Sequence, residues 1–312
     1  IAISPAHGRS SDMLLRRADM ALYRTKTCGR GTSAVYRDED ETAVLERMEL
    51  RGALRDALRN RELGLHYQPI VDVKAGTVTG CEALMRWYHP QLGMVPPTTF
   101  IPIAEKSGLI VSMGDWALRQ ACRDAAGWRS DIKVAVNMSA LQFDQGDLAA
   151  GVQKVLDETG LDARRLEIEI TEQALLRDAA RTLGTLEQLR EIGVRVVLDD
   201  FGTGFASLNH LRSFTFDKIK IDQSFVSEMA DRLDSRAIVG AVTELAKTLG
   251  MGPVAEGVEG LQQLEGVTVA GCEEMQGFYF SHPVPSVDLE AAVANCVTRL
   301  SHNHGSAGLS AS

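Results

Sequence analysis

Leu65-His66-Tyr67-Gln68-Pro69-Ile70-Val71-Asp72-Val73, then Lys74-Ala75-Gly76-Thr77, then Val78-Thr79-Gly80-Cys81-Glu82-Ala83-Leu84-Met85: the fold turns on this stretch. Two apolar runs with β-branched and aromatic residues are joined by four residues that include a glycine. So short a connection is a hairpin loop, and the two strands it joins are antiparallel. Downstream, strand-like runs recur at Val134–Met138, Leu166–Ile170, Val194–Leu198, Ile219–Ile221, Pro253–Ala255 and Phe278–Phe280. Helical patterns separate most of them, at Trp116–Trp128, Gly151–Thr159, Arg181–Ile192 and Arg236–Leu249. About eight strands with intervening helices predict a closed α/β barrel. An ordinary parallel barrel joins its first two strands through a helix, so this one carries one antiparallel strand.

Upstream, Leu50, Leu54 and Leu58 repeat at helical spacing, and residues 38–60 read as an amphipathic linker helix. Residues 1–37 begin as a fragment of a folded domain. Ala18-Asp19-Met20-Ala21-Leu22-Tyr23 reads as a helix, ended by a turn at Cys28-Gly29-Arg30-Gly31. The barrel is expected over residues 61–300, and the Ser, His, Gly and Ala of 301–312 read as a flexible tail.

The 312 residues are 45% hydrophobic, enough for one large core. No apolar run approaches the roughly 18–20 residues of a membrane span, and no secretory signal is visible. The five cysteines, Cys28, Cys81, Cys122, Cys272 and Cys296, have no CxxC spacing. Neither a disulfide framework nor a zinc site is expected, and a reducing cytoplasmic setting fits better. A parent chain could still be membrane-anchored through further upstream domains, although no membrane contact is expected within these residues. A net charge of −9 argues against binding a DNA or RNA polymer through its phosphates. A small anionic substrate would need local positive charge from metal ions or a few placed basic side chains.

The chemistry-bearing residues fall at strand ends. Glu82 lies late in the second strand, Asn137 ends the third, Glu169 the fourth, and Asp199 with Asp200 the fifth. Lys220 lies in the sixth, Glu256 just after the seventh, and Gln276 at the start of the eighth. In a β/α barrel these ends converge on one mouth. Taken singly, each residue is unremarkable: a strand-end carboxylate is usually a cap or a surface charge, and Lys220 between Ile219 and Ile221 would face solvent. Their joint placement points elsewhere. Five converging carboxylates repel one another unless hard divalent cations hold them, and Mg²⁺ or Mn²⁺ takes oxygen ligands of this kind. Phe201-Gly202-Thr203-Gly204 breaks the fifth strand, so that Asp199 and Asp200 can both turn inward. One of them could bridge two metals, a standard device for phosphodiester cleavage.

These residues sit in motifs that resemble the EAL domain family, in order from about Leu63 to Pro285. They are Tyr67-Gln68-Pro69-Ile70, Glu82-Ala83-Leu84-Met85-Arg86-Trp87, Phe100-Ile101-Pro102, Val136-Asn137-Met138-Ser139 and Glu169-Ile170-Thr171-Glu172. Then follow Asp199-Asp200-Phe201-Gly202-Thr203-Gly204, Ile219-Lys220-Ile221-Asp222, Ala255-Glu256-Gly257-Val258-Glu259 and Gln276-Gly277-Phe278. The resemblance implies a TIM-like (β/α)8 barrel with one antiparallel strand, preceded by a short helical remnant and the linker helix. It also implies two Mg²⁺ or Mn²⁺ ions and hydrolysis of c-di-GMP to pGpG. Glu82, Asn137, Glu169 and Asp199 would hold one metal; Asp199, Asp200 and Glu256 would serve the other. Lys220 would position the attacking water, and Gln276 would be a further polar contact. Whether Glu256 or a metal-bound hydroxide is the base stays open. Gln68, Arg86 and Asp222 would contact substrate, with Arg86 on a phosphate, while Glu172 and Glu259 would support the neighbouring loops.

Relatives of this kind often pair, so a homodimer is expected, with the loop Phe201–Leu208 as a point of control. Phe205-Ala206-Ser207 stands where the family usually has Tyr-Ser-Ser, and Gly260 where Thr often follows; neither removes a ligand. The first 37 residues resemble the closing part of a GGDEF domain without its signature, and by themselves could not make c-di-GMP. Two alternatives have distinct signatures: a receptor that binds c-di-GMP without turnover, and a two-metal barrel hydrolase for another phosphodiester.

Overall fold

The computed structural model describes residues 1–28, 33–128, 131–202, 211, 214–229 and 232–307. Helices α1 (Ser11–Cys28) and α2 (Asp38–Ala57) lead into strands β1 (Leu63–Asp72), β2 (Thr77–His89) and β3 (Gly93–Val95). Helices α3 (Pro97–Ser107) and α4 (Leu109–Ala126) follow, and from β4 (Lys133–Met138) the chain alternates strand and helix. The remaining strands are β5 (Leu166–Thr171), β6 (Arg195–Phe201), β7 (Lys218–Ile221), β8 (Gly252–Ala255), β9 (Glu274–Gln276) and β10 (Val284–Pro285).

The sheet runs β10-β1-β9-β8-β7-β6-β5-β4-β2-β3, and a further β1–β2 pairing closes it into a barrel of eight strands. β1 is antiparallel to both barrel neighbours, β2 and β9, as the hairpin connection requires. The turn is held by Asp72, whose Oδ1 accepts from the amides of Lys74 at 2.9 Å and Ala75 at 2.8 Å. β3 and β10 are short additions that extend the β1–β2 ribbon outward.

Alternation along the strands sorts the side chains into two sets. Val134, Val136, Leu166, Ile168, Ile170, Val196, Leu198, Ile219 and Ile221 belong to the main apolar core with the surrounding helices. Asn137, Glu167, Glu169, Asp199, Lys218 and Lys220 have the opposite parity and point to the barrel axis. A smaller core of Leu54, Ala57, Trp87, Phe100 and Met113 ties the end of α2 to the outside of β2 and to α3 and α4. In this core the Trp87 indole donates to Glu62 at 3.0 Å.

Three expectations change. The eighth strand is Glu274–Gln276 and not Phe278–Phe280, so Gln276 ends that strand instead of opening the next. The reason is a close backbone crossing at Gly277, where a Cβ would lie 2.1 Å from the Val258 carbonyl oxygen. The amides of Tyr279 and Phe280 are spent there on Val258 and Gly277 carbonyls, at 2.9 and 3.0 Å, so the apolar run is a turn. The break in β6 also comes earlier than Gly202: Asp200 itself is left-handed, with φ 55, and pairing with β7 shifts register between Leu198 and Phe201. Asp is among the residues that tolerate this conformation. Finally, the last helix, Leu289–Ala307, extends into the stretch read as a tail.

Candidate active site

Lys220 is the centre of the barrel mouth. It is 1% exposed, and its ammonium lies 2.7 Å from Glu256, 3.1 Å from Glu169, and 3.3 Å from both Glu82 and Asp199. It does not face solvent, because alternation on an interior strand turns it to the axis between Ile219 and Ile221. Glu82 also accepts from Gln276 Nε2 at 2.7 Å and from Asn137 Nδ2 at 2.7 Å. Gln276 Nε2 donates further to Gln68 Oε1 at 3.0 Å, and Gln68 is the direct cross-strand partner of Glu82. Glu82, Asn137, Glu169, Asp199, Lys220, Gln276 and Gln68 on seven barrel strands, with Glu256 just after β8, are thus one network.

Asp200 joins it through its backbone. The left-handed turn lets the Asp200 amide donate to Asp199 Oδ1 at 2.9 Å, and carboxylate oxygens of Asp199, Asp200 and Glu256 come within 4.8 Å of one another. The mouth above them is a cavity of 290 Å³, lined also by Asp222, Glu259 and Phe278. Asp222 spends one carboxylate oxygen capping the following helix, accepting from Ser224 N at 2.9 Å. Glu259 lies exposed on the rim. Glu172 is buried, and its carboxylate accepts from Gly202 N at 3.3 Å, where the chain leaves the Asp199–Asp200 pair. Thr203–Leu208, the rest of the expected control loop, lie outside the described residues.

Arg86 stands apart. It does not line this cavity but an adjoining cleft of 620 Å³, together with Pro97, Ile101, Glu105, Asn137 and Ser139. Leu84 lines both spaces and joins them.

The charges are unequal. One ammonium faces four carboxylates, which leaves three formal negative charges, and Asp200 adds a fourth. Burial alone would lower the Lys220 pKa, but Asp199, Glu169, Glu256 and Glu82 raise it well above its ordinary value, so it stays charged. Burial pushes Glu169 and Asp199 up, against the pull of Lys220. It pushes Glu256 to about 8, and Asp200 to about 6 with help from the Asp199 charge. Glu82 alone falls below its ordinary value: burial acts upward, but Lys220, Gln276 and Asn137 outweigh it.

Sequence reading did not single out a second charged cluster at the other end of the barrel. Lys218 lies 2.7 Å from Glu274 and 3.2 Å from Glu167, and Glu167 also meets Arg195 at 3.2 Å. Its signal was present in the Lys218-Ile219-Lys220-Ile221 alternation, which puts both lysines on one face.

Comparison with known proteins identifies the family. A family model described as EAL domain matches residues 51–283. The bifunctional diguanylate cyclase/cyclic di-GMP phosphodiesterase MucR of Pseudomonas aeruginosa is 42% identical over 298 residues, covering 94% of this chain and 44% of MucR. The cyclic di-GMP phosphodiesterase PdeR of Escherichia coli is 39% identical over 293 residues, covering 93% of this chain and 44% of PdeR. The chain therefore spans less than half the length of these curated relatives. Among solved structures, the PaMucR phosphodiesterase in complex with c-di-GMP superposes with a TM-score of 0.75 at 44% identity, covering 77% of this chain and 99% of that one. The fold, the ordered motifs and these matches together place the chain in the EAL domain family.

Proposed function

We propose that this chain hydrolyses c-di-GMP to linear pGpG with Mg²⁺ or Mn²⁺. The observation that carries the reading is Lys220 in contact with three buried carboxylates and the half-buried Glu256, an excess of negative charge that costs several kcal/mol per ion unless protons or cations offset it. The donors suit hard cations. They are all oxygen, the Asp199–Asp200–Glu256 oxygens lie close together, and Gln276 keeps a buried amide oxygen without a protein partner among the described residues. Glu82, Asn137, Glu169 and Asp199 would hold one ion; Asp199, Asp200 and Glu256 would hold the other. Asn137 donates its NH₂ to Glu82, which leaves its amide oxygen available. When bound, such ions lower the pKa of water and offset phosphate charge.

The remaining steps belong to the chain. Lys220, permanently charged, donates to the attacking water or a phosphate oxygen and is not a base. Glu256, at the edge of the cavity, could take a proton only once cations hold it ionised, since burial otherwise pushes it to about 8. Gln68, held by Gln276 and by its own bond to the Ser281 carbonyl at 3.1 Å, presents a fixed amide to substrate. Arg86 offers its guanidinium to a phosphate from the adjoining cleft. Asp222 and Glu259 contact substrate and loop at the rim, and Glu172 steadies the chain after Asp200. Residues 1–37 fit the closing part of a GGDEF domain, in line with the two activities in MucR's name, and a homodimer belongs to the same reading.

The test is incubation with c-di-GMP and Mg²⁺ or Mn²⁺, with product analysis. Conversion to pGpG that stops on chelation is the expected result; Ca²⁺ should support it poorly. Hydrolysis that persists in excess chelator after thorough metal removal overturns the metal assignment. Binding without turnover in Mn²⁺ identifies a receptor instead.

A further inference from the structure

β1 runs against the other barrel strands, so its first residues rise above the mouth beside the second half of β2. In register, Gln68 faces Glu82, His66 faces Leu84, and Gly64 faces Arg86. By alternation, Gly64, His66 and Gln68 on one strand share a face with Glu82, Leu84, Arg86 and Tyr88 on the other. This face is a wall that starts inside the site and climbs out of it.

The wall is bonded through. The His66 Nδ1 lies 3.2 Å from the Pro283 carbonyl oxygen, which can only accept, so Nδ1 carries the ring proton. The neutral ring then accepts at Nε2, and the Tyr88 hydroxyl lies 2.7 Å away to donate. Burial and the nearby Arg86 charge both lower the His66 pKa, in keeping with the neutral ring. Tyr88 leans across the ribbon because Gly64 has no side chain: a Cβ there would lie 3.1 Å from the tyrosine ring. The segment that supplies Pro283 is pinned to the same face a second time, by Gln68 donating to the Ser281 carbonyl at 3.1 Å.

Arg86 faces Gly64 across the ribbon, two residues from Tyr88, and its charge is felt at His66. Among the described residues its guanidinium makes one hydrogen bond, to the Met85 carbonyl at 3.0 Å. Most of its donors are therefore left for a ligand. A long, flexible side chain with so few protein bonds needs a wall to hold its direction.

We propose that Tyr88, locked across Gly64 by His66, is a positioning residue that restricts Arg86 to the conformers facing the cleft that adjoins the mouth at Leu84, and so sets the affinity for the substrate's phosphodiester. This rests on the reading of Arg86 as a phosphate contact. Immobilising one such side chain in advance is worth about 3- to 10-fold in affinity.

The experiment is a double-mutant cycle on the whole chain with c-di-GMP and Mn²⁺, reading KM and kcat, with calorimetric Kd in Ca²⁺ as an independent measure. Tyr88→Ala should raise KM about 3- to 10-fold and leave kcat within about twofold. Tyr88→Phe keeps the ring and loses the hydroxyl, and should give a smaller rise in KM; His66→Phe should match it. In an Arg86→Ala background Tyr88→Ala should add nothing, since there is no guanidinium left to position. Wild-type KM in Tyr88→Ala overturns the proposal, and so do fully additive effects in the cycle. Tyr88 is 45% exposed, so thermal melting checks that its variants fold. If wild type binds but does not hydrolyse, the phosphodiesterase reading fails while the cycle in Kd still decides the proposal. If Arg86→Ala alone leaves KM and Kd unchanged, the phosphate-contact reading fails and this inference with it.

Discussion

Lys218 and Lys220 are two residues apart on one strand, both buried, both inside the barrel, and they sit among different charges. At the lower end, Lys218 and Arg195 meet Glu167, Glu274 and Asp217, two cations among three carboxylates, with Arg195 and Asp217 partly exposed to water. At the upper end Lys220 alone meets four carboxylates, with Asp200 beside them. Ile70, Ala135, Val197 and Val254, all buried and of interior parity, lie between the ends. The lower cluster is near neutrality by itself and reads as a plug that completes the barrel. The upper cluster approaches neutrality only by taking up protons or added cations, and reads as a site. On the proposed reading, the same side chain on the same strand is structural or functional according to the charge balance around it.

The sharpest way to break this comparison is at the ligands. Glu82→Ala or Asp199→Ala should cost at least about 10³-fold in turnover with c-di-GMP, far from additively when combined, because they act on one shared site. Near-normal turnover of either variant at limiting Mn²⁺ would make the upper cluster structural after all. Lys220→Ala should cost about 10²- to 10³-fold in kcat, as loss of a preorganised charge donor does. Its activity should still saturate at wild-type Mn²⁺ concentrations. If adding metal restores full turnover, Lys220 serves the ions and not the phosphate.

Lys218→Met should show the reverse pattern. Removing one partner of a buried ion pair destabilises by about 3–5 kcal/mol, read in urea unfolding, while kcat in the surviving fold stays within a few-fold. A loss of kcat comparable to that of Lys220→Ala would erase the distinction between the two ends. Divalent metal should stabilise the folded chain by about 2.7 kcal/mol at a hundred times its dissociation constant, seen as a higher Tm. Asp199→Ala should abolish that rise, and Lys218→Met should keep it.

The smallest effect is expected at Glu172, whose carboxylate holds the Gly202 amide. Glu172→Ala should weaken metal affinity and turnover together, with circular dichroism unchanged. Wild-type metal dependence would mean the contact only ends a strand.

Much of this was legible in the sequence. The four-residue connection after Val73 dictated the antiparallel strand, because a crossover needs far more chain. Carboxylates and amides at successive strand ends dictated a shared mouth, because a barrel brings those ends together. What the linear pattern misread had local physical causes. Phe278–Phe280 looks like a strand by its apolar character, but the crossing at Gly277 spends its amides on a turn. Lys220 taken alone looks exposed, because alternation reports a face without saying which face is solvent.

Residue types and their order therefore determined the elements, the strand that runs backward, and the inventory of possible ligands, since these depend on short-range periodicity and chain length. Only the tertiary structure decided that Lys220 has four carboxylate partners and Lys218 a nearly balanced set. It alone turned Asp200 into a left-handed corner and laid Tyr88 across Gly64 onto His66. Those outcomes depend on barrel register, burial and the net charge within a few ångströms, which join residues up to about two hundred positions apart and leave no trace in local sequence.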